Sequence, residues 1–447
     1  MATSTDLIII GAGPGGYRAA EYAAQQGLRV VIFESRLVGG TCLNEGCIPT
    51  KALARNAELL LDLRNAPIFG LADLSFHTDF NAIMARKDEV VTTLRNGVTT
   101  ILSHPAITVV NESAAFVDTH TVEAQTSGQQ FTAPNIIVAT GSVAKTLHLE
   151  TSDPTMIVSS TDLLQLEQLP KSICIVGAGV IGMEFASIFS AFGVEVTVVE
   201  FLKECLPMLD SDIAKRLRKV LERRGVSFHM QAAVKSVNAE GIVFERKGKS
   251  DIVKAEKVLM AVGRAPRVTP DFARAGFSYD ERHGISVDDH MRTTVPGIYA
   301  IGDVNGRQML AHAAEMQAVH AIDTILGRDS GIRLDVMPAA IFTHPEAACV
   351  GLSEDNCREQ AIDYVCRKAF YRANGKALAL AEPEGMLKLI ARADGTIIGC
   401  HLFGAHAADI VQEAAALMCK QTTITELAHM VHIHPTLSEI LLEAARG

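Results

Sequence analysis

Apolar residues fall along this chain in short, unbroken runs separated by glycine-rich turns, and two of those runs open the same longer pattern. Residues 6–10, DLIII, predict a buried parallel strand, because a strand covered on both faces carries apolar side chains without alternation. They lead into Gly11-Ala12-Gly13-Pro14-Gly15-Gly16 and the helix-like YRAAEYAAQQ. Gly27 ends that helix, and RVVIF forms a second strand closed by Glu34. The plan returns in SICIVGAGVIGMEFASIFSAFGVEVTVVE, with Gly177, Gly179 and Gly182 in the turn and Glu200 as the closing acid. The spacing from Gly11 to Glu34 equals that from Gly177 to Glu200. Each copy is followed by a β-rich stretch and then by a strand running into a small-residue turn, NIIVATGS at 135–142 and KVLMAVGRAP at 257–266.

Strand, Gly-x-Gly-x-x-Gly, helix, strand, acid is the plan of a dinucleotide site. The first glycine makes the tight turn, the second lets backbone approach a pyrophosphate, and the third lets helix pack on strand. The helix N-terminus then offers unpaired N–H groups and the positive end of its dipole to the phosphates. Glu34 and Glu200 are placed to accept from ribose hydroxyls. A carboxylate at 200, followed by FLKEC without an arginine, favours a free 2′-hydroxyl, and so NAD over NADP. A third signal, GIYAIGDVNG at 297–306, is a buried strand ending in Gly302-Asp303; that carboxylate could grip a sugar hydroxyl or only cap a turn. Two dinucleotides in one chain point to electron transfer, with a nicotinamide and a flavin as the natural pair.

The composition narrows the class. A chain of 447 residues is long enough for several cores, and 48% hydrophobic with 21% charged residues describes a globular protein. The net charge of -10 argues against nonspecific nucleic-acid binding. No apolar run approaches the roughly 18 residues of a membrane span. MATSTD passes straight into the first strand without a secretion signal, so the expectation is a cytoplasmic protein. Nine scattered cysteines are an odd count and not a disulfide framework; most are expected to be small buried hydrophobes.

Cys42 and Cys47 differ, because they stand in GGTCLNEGCIPTK with glycines before and Pro49 after. A regular helix would hold residues five apart at about 8–9 Å, and a disulfide needs Cα atoms roughly 4.4–6.8 Å apart. If the two are joined, the segment between them is irregular, and Gly46 and Pro49 suit that. A metal site fits poorly, since ligand pairs stand about two to four residues apart and no second Cys/His pair complements this one. A structural staple and a redox pair both remain; Lys51, a cation that favours thiolate, weighs towards the redox pair.

GGTCLNEGCIPTKAL resembles the active-site segment of the flavin-dependent pyridine nucleotide–disulfide oxidoreductases, with Thr50 where the family pattern has serine. The likeness continues through both glycine motifs, GIYAIGD, MLAHAAEMQ, FTHPEAACVG and HIHPTLSE, from residue 6 to about 445. The resemblance implies FAD and NAD as cofactors, and a homodimer that oxidises dihydrolipoamide on lipoyl domains of 2-oxoacid dehydrogenase or glycine-cleavage proteins. It implies Cys42 as the thiol that exchanges with substrate and Cys47 as the thiol beside the flavin. Lys51 would lie near the flavin and pair with Glu184, whose alternative is a solvated helix carboxylate. His434 would be the acid–base and Glu439 its partner. His432 competes for that role, and Thr436-Leu-Ser-Glu439 also matches a helix capping box. The implied flavin contacts are Gly11, Gly13, Gly15, Gly16, Glu34, Gly40, Thr41, Lys51, Ala114, Thr140, Gly141, Asp303, Met309, Leu310, Ala311 and His312. The implied NAD contacts are Gly177, Gly179, Val180, Ile181, Gly182, Glu200, Val234 and Gly263. No metal is expected.

The fold class expected is α/β, with two Rossmann-like dinucleotide-binding domains and a C-terminal α+β dimerisation domain. The expected boundaries are 1–143 for FAD, 144–264 for NAD, 265–335 for a central segment completing the FAD domain, and 336–447 for the C-terminal domain. That last domain is expected to hold strands, two helices and the HIHP loop, and 410–420 reads as part core, part dimer surface. A reductase of glutathione or another small disulfide is the alternative. Gly182 and Glu200 oppose the glutathione branch, which carries alanine at the third glycine and prefers NADPH. A scaffold protein that keeps the fold without the chemistry would be colourless when purified, whereas a flavoprotein is yellow.

Overall fold

The protein was analysed as a computed structural model, which describes residues 2–147, 149–238 and 240–447. The chain divides into two compact units. One is built from Met1–Ala52, Met84–Lys145 and Gly263–Leu334, the other from Leu53–Ile83, Thr146–Val262 and Asp335–Gly447.

In the first unit the apolar runs become a five-stranded parallel sheet. Its order is Ile298–Ala300, Asn135–Val138, Leu7–Ile10, Val30–Phe33, Ile107–Val110. All four residues of Leu7–Ile10 are buried, as expected of a strand covered on both faces. The helix Pro14–Gln25 starts on a proline, whose missing N–H costs nothing in a first turn, and turns Gly15, Gly16, Ala19, Ala20, Ala23 and Ala24 inward. Those small side chains let it lie close to the helix Ala311–Ile325. A small antiparallel seam, Ser142–Ala144 against Arg264–Pro266, ties the point where the chain leaves this unit to the point where it returns.

The second unit contains the second copy of the plan. Its parallel sheet runs Ile157–Val158, Lys257–Met260, Ser172–Val176, Glu195–Glu200, Ser227–Met230. The two sheets share one strand arrangement, but the edge strand that heads each order, Ile298–Ala300 or Ile157–Val158, comes last along the chain in the first copy and first in the second. The same unit holds a five-stranded antiparallel sheet, ordered Ala339–Ile341, Glu346–Gly351, Ile397–Gly404, Met386–Arg392, Tyr364–Phe370. The helices Ala407–Cys419 and Glu439–Arg446 cover it, and the short helices Glu354–Glu359, Gly375–Ala379 and Ile424–Ala428 add to the two longer ones expected. Helix Ala407–Cys419 buries Ile410, Val411, Ala414, Ala415 and Met418 and leaves Gln412, Ala416 and Cys419 exposed, so its core face is clear. The fold is thus α/β with two parallel-sheet dinucleotide modules and a C-terminal α+β part.

A buried polar cluster fastens the two parts of the second unit. Lys388 Nζ donates to Asp210 Oδ1 (2.5 Å) and to Glu354 Oε2 (2.6 Å) with only 2% of its side chain exposed. His401 Nδ1 accepts the Asp210 N–H (3.0 Å), which fixes that nitrogen as the unprotonated one. Breaking a buried ion pair on one side leaves a charge uncompensated, so Lys388→Met should destabilise the protein by about 3–5 kcal/mol in denaturant titrations. Burial pushes the His401 imidazole down to about 4, with Asp210 opposing and Lys388 reinforcing the shift. The unfolded chain takes up this proton near pH 6.5, the native one only near 4. The stability held in the neutral ring is therefore complete above pH 6.5 and is lost as pH falls towards 4, by about 3 kcal/mol. His401→Gln should flatten that acid limb of the stability profile; an unchanged limb would show that other groups set it.

Candidate active site

Both glycine turns have the shape a pyrophosphate needs. A Cβ on Gly11 or Gly177 would collide with the carbonyl of Ala139 or Ala261, and one on Gly16 or Gly182 would collide with the carbonyl of the first glycine of its own motif. The middle position is the open one: nothing lies within 4 Å of a Cβ built on Gly179, and the nearest atom at Gly13 is 3.8 Å away. Glu34 accepts the Ala12 and Arg36 N–H groups (both 2.9 Å), and Glu200 those of Ala178 (2.5 Å) and Leu202 (2.6 Å). Each carboxylate is thereby held beside its own turn. Val180 and Ile181 open the helix Val180–Ala191. Thr140 Oγ1 donates to Arg267 O (2.9 Å), Gly141 and Gly263 take positive φ, and Asp303 accepts the Ser142 hydroxyl (2.5 Å). Met309 and Leu310 lead into the helix that starts at Ala311 and His312. Ala114 opens the strand Ala114–Phe116, and Val234 lies inside Ala232–Asn238. Each cradle fits a dinucleotide, one in each unit.

The thiols sit on two helices with a break between them. Gly40–Glu45 carries Thr41 and Cys42; Gly46, at φ -145° and ψ -107°, interrupts the winding; and Cys47 is the first residue of a helix reaching Asn65. Gly46 therefore does what its sequence position suggested, while Pro49 lies within the first turn, where it is tolerated. Cys47 faces the unpaired N–H end of its helix, a setting that favours thiolate, and Lys51 follows one turn later. The pair is present as thiols, hydrogen-bonded to each other; Cys42 is half-buried and Cys47 exposed. That Cys47 contact, then burial, pushes Cys42 above the usual thiol range, against the pull of Lys51.

Asn44 was not singled out in the sequence, yet it pins this segment. Its amide donates to Val38 O (3.0 Å) and Gly40 O (2.9 Å) and accepts from Arg95 Nε (2.8 Å). Asn44 stood inside the thiol motif; Arg95, on the helix Phe80–Leu102, had no local signal at all. Of the other cysteines, 174, 205, 349, 357 and 400 are buried as expected, Cys366 is half-buried and Cys419 exposed.

In the second unit Glu184 is buried and accepts the Phe342 N–H (2.9 Å), so it is not a solvated helix carboxylate. His434 Nδ1 lies 3.0 Å from Glu439 Oε1, with 79% of the imidazole side chain exposed. A carboxylate at Nδ1 accepts its hydrogen and leaves the Nε2 lone pair for chemistry. Glu439 Oε2 accepts the Thr436 N–H (2.8 Å), and that bond, then the His434 contact, holds its carboxyl below the usual range. Only half of the capping box forms: Glu439 takes the Thr436 N–H, but the Thr436 hydroxyl donates to Ile433 O (2.7 Å) and the helix begins at Glu439 itself. His432 is otherwise engaged, its side chain 6% exposed and its Nε2 3.0 Å from Glu413. Among the described residues no group of His, Cys, Asp and Glu could hold a metal, and no helix is long and apolar enough to cross a membrane.

Two dinucleotide cradles and a thiol pair at a helix N-terminus define a flavin- and nicotinamide-dependent disulfide oxidoreductase. Residues 5–318 match the family model described as pyridine nucleotide-disulphide oxidoreductase, and residues 337–445 match that family's dimerisation domain. The chain belongs to the pyridine nucleotide-disulphide oxidoreductases, and its cofactors are FAD and NAD. It is 40% identical over 458 residues to dihydrolipoyl dehydrogenase of Mycobacterium tuberculosis, covering 100% of this chain and 98% of that protein. It is 36% identical over 455 residues to dihydrolipoyl dehydrogenase of Chlamydia muridarum, covering 100% and 97%. The solved HOCl-induced flavoprotein disulfide reductase RclA from Escherichia coli superposes with a TM-score of 0.87 at 28% identity, over 99% of each chain.

Proposed function

We propose that this chain is a dihydrolipoyl dehydrogenase, which oxidises dihydrolipoamide carried on lipoyl domains and reduces NAD. The observation that carries the reading is the Cys42–Cys47 pair on its broken helix, in a chain alike over its whole length to proteins of that name. With Cys42 and Cys47 joined as a disulfide, a substrate thiol gives its proton to His434 Nε2 and its sulfur attacks Cys42 Sγ, releasing Cys47 as thiolate. The second substrate sulfur then attacks the substrate sulfur of the mixed disulfide and releases Cys42, its own proton passing to the Cys42 sulfur as that leaves, while His434 keeps the first proton and balances the Cys47 thiolate. One dihydrolipoamide has become lipoamide, and the pair has gained two electrons. Bound FAD and NAD supply the two-electron oxidation that restores the disulfide.

Cys47, the first residue of its helix, is assigned to the flavin side and Cys42 to exchange with substrate. Glu439 holds the histidine tautomer, and Lys51 and Glu184 serve the flavin side. The segments 1–143 and 265–335 are read as the FAD domain, 144–264 as the NAD domain and 336–447 as the dimer-forming domain. A homodimer is supported by the dimerisation-domain match and by Val431 and Ile433, exposed at 98% and 79% beside the histidines. The scattered, odd cysteines support a cytoplasmic placement.

The deciding experiment compares dihydrolipoamide with reduced glutathione, and lipoamide with glutathione disulfide, using each nicotinamide. Turnover confined to the lipoyl pair with NAD supports the reading; faster glutathione disulfide reduction would replace it by the small-disulfide alternative. Glu200, buried at the sugar end of its cradle, should make NADH at least tenfold better than NADPH in kcat/KM, because a carboxylate repels the 2′-phosphate. Glu200→Ser should narrow that ratio, and comparable efficiencies in the wild type would remove Glu200 from the selection.

A further inference from the structure

We propose that Arg264 is a positioning residue of the flavin site: its guanidinium fixes Ser142, and Ser142 fixes the Asp303 carboxylate in the orientation that holds the flavin's sugar alcohol. The inference rests on the reading of the first unit as the FAD domain and assigns a residue that the glycine motifs do not contain.

Arg264 Nε donates to Ser142 Oγ (2.7 Å), and Nη2 donates to Ser142 O (2.9 Å). The guanidinium fork thus grips side chain and backbone of one residue, a geometry that a lysine cannot copy. A hydroxyl has one hydrogen. The Ser142 oxygen accepts from Arg264, which can only donate, and turns its hydrogen onto Asp303 Oδ2 (2.5 Å), and Ser142 is itself buried. Direction runs one way along the chain, from arginine to serine to aspartate, and one carboxylate oxygen is fixed while the other remains an acceptor for a ligand hydroxyl. The backbone keeps Arg264 in place. It lies opposite Ala144 in the seam, with Lys145 N–H donating to Gly263 O and Arg267 N–H to Gly141 O (both 2.9 Å). Burial pushes the guanidinium below its usual range, and Asp303 is the strongest influence holding it up. A carboxylate only accepts, which suits Asp303 to hydroxyl donors, from Ser142 on one oxygen and from a ligand on the other.

The test measures FAD retention, read from the fluorescence of released flavin on dilution, with circular dichroism and thermal melting as folding controls. Arg264→Met should weaken FAD binding at least tenfold, and Arg264→Lys should recover only part of that loss. In an Asp303→Asn background, Arg264→Met should cost less than a further twofold, because the end of the chain is already lost. Should Arg264→Met fail to fold, Ser142→Ala removes one hydroxyl from the middle of the chain and is expected to show the same loss and the same dependence on Asp303. Wild-type FAD affinity in a folded Arg264→Met protein overturns the proposal, and so does a full tenfold loss repeated in the Asp303→Asn background. A wild-type protein that holds FAD but ignores dihydrolipoamide would sink the proposed substrate and leave the role of Arg264 standing; one that binds no FAD would overturn it.

Discussion

Cys42→Ser and Cys47→Ser each lose dihydrolipoamide turnover by about a thousandfold or more, while both variants keep FAD and still pass electrons from NADH to a dye. The size of the effect follows from what a thiol pair does. Two sulfurs form a bond that stores two electrons, and a serine hydroxyl in either place cannot. The survival of the dye route follows from position: neither sulfur belongs to the glycine turns or their acids, so replacing one leaves the cradles in place. A serine at 42 or 47 changes one atom, and neither residue belongs to the sheet core, so folding should be unaffected. A variant that kept a tenth of wild-type turnover would show that the pair is structural and that the exchange happens elsewhere.

His434→Gln is the second large effect, at least a hundredfold in dihydrolipoamide turnover with FAD and NAD binding unchanged. A free thiol near pKa 8.5 is mostly protonated at pH 7, and its sulfur attacks only after the proton has left. The exposed ring of His434, with Nδ1 committed to Glu439, offers Nε2 for that proton, and the carboxylate stabilises the imidazolium that results. General-base help of this kind is worth about 10²–10⁴ in rate. Glu439→Gln should fall between wild type and His434→Gln, because it weakens that stabilisation without removing the base. His432→Gln should change turnover little and stability more, since that ring is buried against Glu413. A dead His432→Gln enzyme beside an active His434→Gln enzyme would reverse the assignment. Mixing inactive Cys42→Ser and His434→Gln subunits tests whether the base serves the opposite copy: recovered activity supports it, and none would place base and thiols in one chain.

Much of this site was legible because its determinants are local. Gly11 to Glu34 and Gly177 to Glu200 each fall within one strand–helix–strand unit, and glycine is the residue whose spacing reports a close backbone approach. The thiol segment was equally readable, down to the break at Gly46. Choosing between His432 and His434 was a different matter for the residues alone. Two histidines one residue apart in a loop differ only in what lies opposite them, and Glu413 belongs to another helix. The capping-box pattern at Thr436 stayed an open alternative for a related reason: three-residue spacing does not say where a helix begins. The Arg264–Ser142–Asp303 chain and the Lys388 cluster were invisible, because each joins strands whose pairing depends on the whole fold. Apart from Asp303, singled out in the sequence, their members looked like turn residues and surface charges.

The edge strand Ile298–Ala300 belongs to a sheet whose other members all lie before residue 139. On a ribosome adding roughly 5–20 residues per second, the neighbouring Asn135–Val138 waits on the order of ten to thirty seconds for that strand to arrive. Throughout that interval its edge is unpaired and open to other nascent chains, and Asp303 has not yet been made. A message cut short between the first glycine turn and codon 303 thus yields a polypeptide that keeps the turn and lacks the carboxylate proposed above to grip the cofactor.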